Sequence, residues 1–358
     1  MKILDWYILK RYLLTFLMML LLFIPIGITV HLAEKIGKIL ENEVPLGEVL
    51  IYLYDFTIYF ANILFPLFLF LSVIWFTSKL ANNTEIIAFL SSGVSFSRFL
   101  RPYLIGASII AFMALMLGLF LAPDASKGFN EFDFKYFHPT RKDSQDQNVY
   151  RQINDNDFIY VSSFNTKSKL GYNFTLEHFE DNVLTYKIDA KSIKYVEEDT
   201  VYVLTDYVKR HVGEFEDVIE RAKRKDTLFD FEVKDLVPVI YEAEILPYDE
   251  LVEFIDKEEK RGSSNIGRYQ LVKYRKWSLP VAIFILTIIA VSVSAMKRRG
   301  GMGVNLAVGI CIAMVFVFFD KIFGVMAEQS NFSPMIAVWF PNVIFGVLAA
   351  YLLYNAKR

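Results

Sequence analysis

Asn82-Asn83-Thr84-Glu85-Ile86-Ile87-Ala88-Phe89-Leu90-Ser91-Ser92-Gly93 stands between two long apolar runs, Tyr52 to Phe76 and Tyr103 to Leu121. Asn82 with Glu85 three residues on has the form of a capping box, and Gly93 stands where a left-handed C-terminal cap belongs. The spacing predicts a helix over about 83–92 with Ile86, Phe89 and Leu90 on one face. About ten residues are too few to cross a hydrocarbon core roughly 30 Å thick, so such a helix lies at or outside a membrane surface. Two readings follow, a docking helix for another protein or an amphipathic connector on lipid headgroups. The residues alone leave both open.

Working outward, six apolar runs are long enough to span. They are Tyr12 to about Leu32, Tyr52 to Phe76, Tyr103 to Leu121, Leu279 to Met296, Val304 to Met326 and Met335 to Tyr354. Pro25 and Gly27 interrupt the first and can kink it without breaking the span, and Glu34 to Lys38 with Glu41, Glu43 and Glu48 read as a polar hairpin. The chain of 358 residues is 54% hydrophobic, above the roughly 45–50% of soluble domains, and the excess lies in these runs. Its net charge of −2 gives no basic footprint for nucleic acid. Its one cysteine, Cys311, rules out an internal disulfide.

Between the third and fourth runs, 123–275, polar residues dominate. Phe158 to Val161, Tyr172 to Phe179, Leu184 to Val196, Val201 to Val208 and Leu228 to Val233 read as strands, separated by turns such as Asn154 to Asp157, Glu180 to Asn182 and Glu197 to Asp199. Strands at short spacing suggest an antiparallel sandwich or open barrel, and Pro247 opens a helix over about 248–260. The expected domains are thus 1–122 (spans one to three), 123–275 (β-rich) and 276–358 (spans four to six). Basic residues Lys2, Lys10 and Arg11, Arg98 and Arg101, Lys297 to Arg299, and Lys357 and Arg358 fall on one side of the spans. By the positive-inside rule that side, with both termini and the Glu85 helix, is cytoplasmic, and the β-rich region is outside. Lys273, Arg275 and Lys276 run against the rule, but they follow a long domain, where it carries little weight.

Catalytic motifs are missing: no G-x-x-x-x-G-K-[ST], H-E-x-x-H or G-x-S-x-G occurs, and the four histidines are too scattered for a local metal site. The expectation is a non-enzymatic chain with no cofactor or metal of its own. Ionisable residues in the spans are sharper signals. Asp320 and Lys321 are neighbours, about 100° apart around a helix, so one faces another helix and the other a polar cavity. Lys35 and Lys38 share a helix face near headgroup level and suit either an anionic lipid group or simple snorkelling.

Three spans, an outer β-domain, three spans and an acid-bearing helix between spans two and three resemble the LptF/LptG permease family of the bacterial lipopolysaccharide exporter. Three local stretches agree: Thr84 to Val94 resembles its coupling-helix segment, Gly267 to Leu271 with Lys276 and Pro280 the start of its fourth span, and Phe319 to Gly324 its fifth. The Gly267 to Leu271 segment leans towards the LptG side. The resemblance implies a membrane α-helical fold with a periplasmic jelly-roll-like β-domain, in the bacterial inner membrane. It implies a noncatalytic half of an exporter, paired with a second family chain, driven by a separate LptB-like ATPase dimer that holds the ATP and Mg, and joined to LptC/LptA-like bridge proteins. Glu85 matches the coupling acid, with Ile86, Phe89 and Gly93 around it, and Lys35 and Lys38 match basic residues that meet the lipid. Lipopolysaccharide is expected to enter laterally between spans one and five, where Phe16, Leu20, Phe23, Ile24, Phe316, Phe319, Asp320, Lys321 and Phe323 are candidate lining residues. The alternatives are a membrane-anchored scaffold whose β-domain binds partners, and an ion-coupled carrier using Asp320 and Lys321.

Overall fold

The computed structural model describes residues 3–137, 147–165, 168–196, 201–213, 216–231, 233–236, 242–260, 263, 265–295, 301–330 and 332–356. Lys2, His138, the turn Glu197 to Asp199 and the clusters Lys297 to Arg299 and Lys357-Arg358 lie outside them. Among the described residues six helices are long and apolar enough to span a membrane.

Helix α1 (Ile3–Glu41) is unbroken at Pro25 and Gly27, and it runs on through the segment expected to be a polar hairpin. Pro25 removes one backbone donor, but its fixed φ is compatible with a helix, and Glu34, Lys35, Lys38 and Glu41 are good helix formers that carry the helix past the apolar run. Only four residues, 42–45, separate it from α2 (Leu46–Asn82). The short α3 (Glu85–Ser91) follows, then α4 (Phe96–Met116). This last helix does not end at Leu121 as expected. It passes through a π-helical turn, Leu117–Leu121, into α5 (Ala122–Phe132) and a second π turn, Asp133–Phe137, so the start of the polar region is helical.

After the sheet come a 3-10 turn (Val233–Leu236), the one-turn α6 (Glu242–Ile245) and α7 (Tyr248–Lys260). Helix α8 (Ile266–Ser294) starts ten residues before the expected boundary at 276, so Lys273, Arg275 and Lys276 are helical, not loop residues. Helices α9 (Gly301–Gln329) and α10 (Pro334–Ala356) close the chain. The helical unit comprises residues 1–129, 244–249 and 267–358. Within it α1 packs on α2 and α4, and α9 on α2 and α10. The α1–α4 approach needs Gly106, because the ring of Tyr12 occupies the place a Cβ there would take.

The second unit, residues 130–243 and 250–266, is built on a sheet of β1 (Gln147–Gln152), β2 (Asp157–Asn165), β3 (Leu170–Glu180), β4 (Val183–Val196), β5 (Val201–His211) and β6 (Val218–Thr227). All neighbours are antiparallel and the spatial order is the sequence order. The expected β-domain is present, and its described strands form one six-stranded up-and-down sheet. It is creased: the core-facing parity changes from Val161 to Phe164 on β2, Gly171 to Phe174 on β3, Ala190 to Ile193 on β4 and Leu204 to Tyr207 on β5. These positions are aligned across the ladders, as in the pairs Phe174↔Ala190, Gly171↔Ile193 and Ile193↔Leu204. Asn173 and Asp206, with φ of 51° and 53°, sit at the crease. The left-handed conformation turns the strand over by one residue, and one core collects side chains from both halves.

One strand expectation is corrected and two strands, β1 and β6, were not anticipated. The described residues of 228–233 form no strand; Phe229 and Phe231 stack on each other at 4.9 Å and pack on the sheet's core. Strand β6 was not expected, because an edge strand solvated on both faces lacks apolar alternation. Arg221, Lys223, Arg224 and Lys225 populate it, as charges commonly guard an edge.

Candidate functional site

The α2–α3 junction is tighter than a capping box. Helix α2 runs through Asn82, and the residue before α3 is Thr84, at φ 61° with no side-chain cap. A β-branched residue in the left-handed region is an outlier, held by Thr84 N–H donating to the Ala81 carbonyl and its hydroxyl to the Asn83 carbonyl at 2.6 Å. Asn83, not Asn82, reaches Glu85, its amide donating to Oε1 at 3.3 Å. The far end forms as the glycine implied: Gly93 has φ 82°, Val94 N–H bonds to the Phe89 carbonyl and Gly93 N–H to that of Leu90. This is a Schellman closure.

The half-buried Glu85 also accepts from the Tyr7 hydroxyl of α1 at 3.1 Å. Just beyond α3, Arg98 pairs with the buried Asp5 of α1 at 3.0 Å, while Ser95 caps α4. The first two turns of α1 thus grip the chain on either side of α3. Ile86 is buried and Phe89 half-buried, but Leu90 faces out with Ile87, correcting the expected shared face. What α3 presents to solvent is a small apolar patch beside a carboxylate.

The candidate lining residues turn inward. Phe16 is buried edge-on against Phe65 at 5.1 Å, Phe23 stacks on Phe68 at 5.3 Å, and Leu20 packs on the same core. Phe316 meets Phe345 at 5.0 Å, Phe323 meets Phe340 at 4.8 Å, and Phe319 lies half-buried between them; Ile24 is half-buried. The outward faces carry Leu14, Leu17, Met18, Leu21 and Leu22 on α1, and Met314, Val315, Phe318 and Ile322 on α9. Periodicity identified two apolar helices but not the rotation of each, since lipid-facing and core-facing positions are equally apolar in a membrane. Lys35 is half-buried and Lys38 exposed on the α1 extension.

Asp320 and Lys321 separate as their 100° spacing requires. Asp320 receives Arg275 from α8 at 3.2 Å, and Lys321 is exposed. Sequence reasoning missed Arg275 as a partner because the residue was placed outside the span.

A short helix gripped by α1, two outward apolar faces and a separate creased sheet fit a transport subunit, and comparison with known proteins decides the family. The family model "Lipopolysaccharide export system permease LptF/LptG" matches residues 6–355. The chain belongs to this LptF/LptG family. The LptG permease protein of Escherichia coli strain K12 is 21% identical over 295 residues, covering 82% of this chain and 81% of the relative. The LptG protein of Escherichia coli O6:H1 matches at the same identity and coverage.

Proposed function

We propose that this chain is a permease subunit of a lipopolysaccharide export system, with α3 as the seat of a separate ATPase. Membership of the LptF/LptG family carries the first part. The observation that carries the second is α3 itself: a seven-residue helix fastened to α2 and α4, with Glu85 at its start and Ile87 and Leu90 exposed. A load applied there reaches the spans through Tyr7 and Asp5. The ATP and Mg are those of the ATPase. The outward faces of α1 and α9 meet lipopolysaccharide and a second family chain, with Lys35 and Lys38 at the rim, in the bacterial inner membrane. The termini and α3 are cytoplasmic, and the creased sheet is periplasmic, where it receives the lipid and joins a bridge protein of LptC/LptA type. The pairing of Asp320 with Arg275 counts against an ion-coupled carrier built on Asp320 and Lys321.

In the assembled complex Glu85→Arg is expected to lower lipid-stimulated ATPase activity by about tenfold or more, since it removes a charge-assisted contact and substitutes a like charge. The helical content should be unchanged, with detergent stability lowered only by the lost Tyr7 bond, which Tyr7→Phe reproduces as a control. Full stimulation by a well-folded Glu85→Arg complex would refute the assignment of α3.

A further inference from the structure

Inside the helical unit, away from the outward faces of α1 and α9, lies a cavity of about 360 Å³ between α2, the π turn after α4, α8, α9 and α10. Its apolar floor includes Leu67, Phe70, Ala282, Leu286 and Phe316. Lys276 reaches into it with no carboxylate partner; its Nζ donates to the carbonyls of Gly118 at 3.2 Å and Leu246 at 3.5 Å. The π turn explains the first bond. Ala122 N–H is taken by the Leu117 carbonyl, and the next donor along, at Pro123, does not exist, so the Gly118 carbonyl has no helical donor. Two neutral carbonyls leave one ammonium proton and the whole positive charge unanswered.

Three further atoms at this cavity are buried and unsatisfied: Asn62 Oδ1, Asn342 Oδ1 and Arg275 Nε. Asn342 is 5% exposed and gives its amide to the Val338 carbonyl. Arg275 answers Asp320, and Glu244 is held by Arg268 at 3.5 Å, so Lys276 and Lys321 remain the uncompensated charges of the lining. An unpaired cation and unmet hydrogen-bonding groups in a membrane-embedded cavity call for an anionic ligand that also carries donors. The apolar floor and the exposed Ile63 and Val317 at the rim suit a ligand with hydrocarbon attached.

We infer that this cavity binds the phosphodiester headgroup of an anionic glycerophospholipid. Lys276 and Arg275 Nε donate to phosphate oxygens, and Asn62 and Asn342 accept from glycerol hydroxyls. The occupant inferred is a resident lipid and not cargo, although Phe316, Asp320 and Lys321 of the lining are also candidates for lateral entry.

The test is native mass spectrometry of the full chain, with any partners that co-purify, titrated with phosphatidylglycerol, phosphatidylcholine or excess inorganic phosphate. Phosphatidylglycerol should be retained by the wild type and by Lys276→Arg. Retention should fall about tenfold in Lys276→Gln, the loss of one hydrogen bond to a charged group. Asn342→Leu, which leaves the Lys276–Gly118 bond in place, should lower retention as well and decides the matter if Lys276→Gln fails to fold. Equal retention of phosphatidylcholine, displacement by inorganic phosphate, indifference to both substitutions, or lipopolysaccharide in the cavity would each overturn the inference.

Discussion

Thr84 occupies a conformation that costs an L-residue roughly 1–2 kcal/mol, at the joint between α3 and the span that carries it. Strain kept at such a place fixes the angle of α3. Thr84→Asn, which tolerates the left-handed region, is expected to raise stability by about 1 kcal/mol in thermal unfolding, because Asn relieves the β-branched clash. A second residue-level device lies on the sheet. His178 Nδ1 meets Asp157 Oδ1 at 2.6 Å, Nε2 lies 3.5 Å from Glu180, and the ring stacks on Tyr186 at 4.7 Å. The hydrogen bond to Asp157 holds the imidazole above its ordinary value, against burial, which lowers it. A raised histidine stabilises the fold fully below the unfolded-state value of about 6.5 and loses that contribution as pH rises through the folded-state value. His178→Gln should therefore be destabilising in urea titrations near pH 5.5 and nearly neutral near pH 9, with the crossover following the raised value.

Among elements, α7 shows how a helix is tied to a sheet. Leu251, Ile255 and Glu258 form its buried stripe, and Glu258 takes both carboxylate bonds from Arg151 of β1 at 3.2 Å, the two side chains being 2% and 10% exposed. Glu258→Gln weakens a charge-assisted bidentate bond in a buried setting, so it should cost about 1.5–3 kcal/mol of β-unit stability, measured by denaturant unfolding. The span of α7 could be read from the sequence because Pro247 and the apolar spacing mark it, whereas Glu258 on its inner face breaks the apolar pattern and could not. The same contrast holds for α3. Gly93 announces its end, since a left-handed residue there has few alternatives. Its start was misplaced because Asn82 and Asn83 are both good caps and only the tertiary grip of Tyr7 on Glu85 selects the frame. Spans were legible by length and composition, and their rotation was not, since a bilayer accepts the same side chains that a helix core does. The crease was hidden because each half-strand alternates properly and only the change of parity reveals it.

At the scale of the molecule, two units with separate cores predict separable folding. A fragment covering 130–266 should be soluble, give a β-rich circular dichroism spectrum and unfold cooperatively, and an unfolded fragment would refute independent folding. The helical unit has a different mechanical character. Helix α1 is 39 residues without a break, about 58 Å at 1.5 Å per residue, nearly twice the thickness of a hydrocarbon core. A rod of that length is a moment arm: pivoting by about 10° about its centre sweeps each tip through roughly 5 Å, one helical turn's rise. Tyr7 and Asp5 sit at one tip and Lys35 and Lys38 near the other. A small rocking of such a rod at the first pair would thus displace the second pair by about one helical turn's rise.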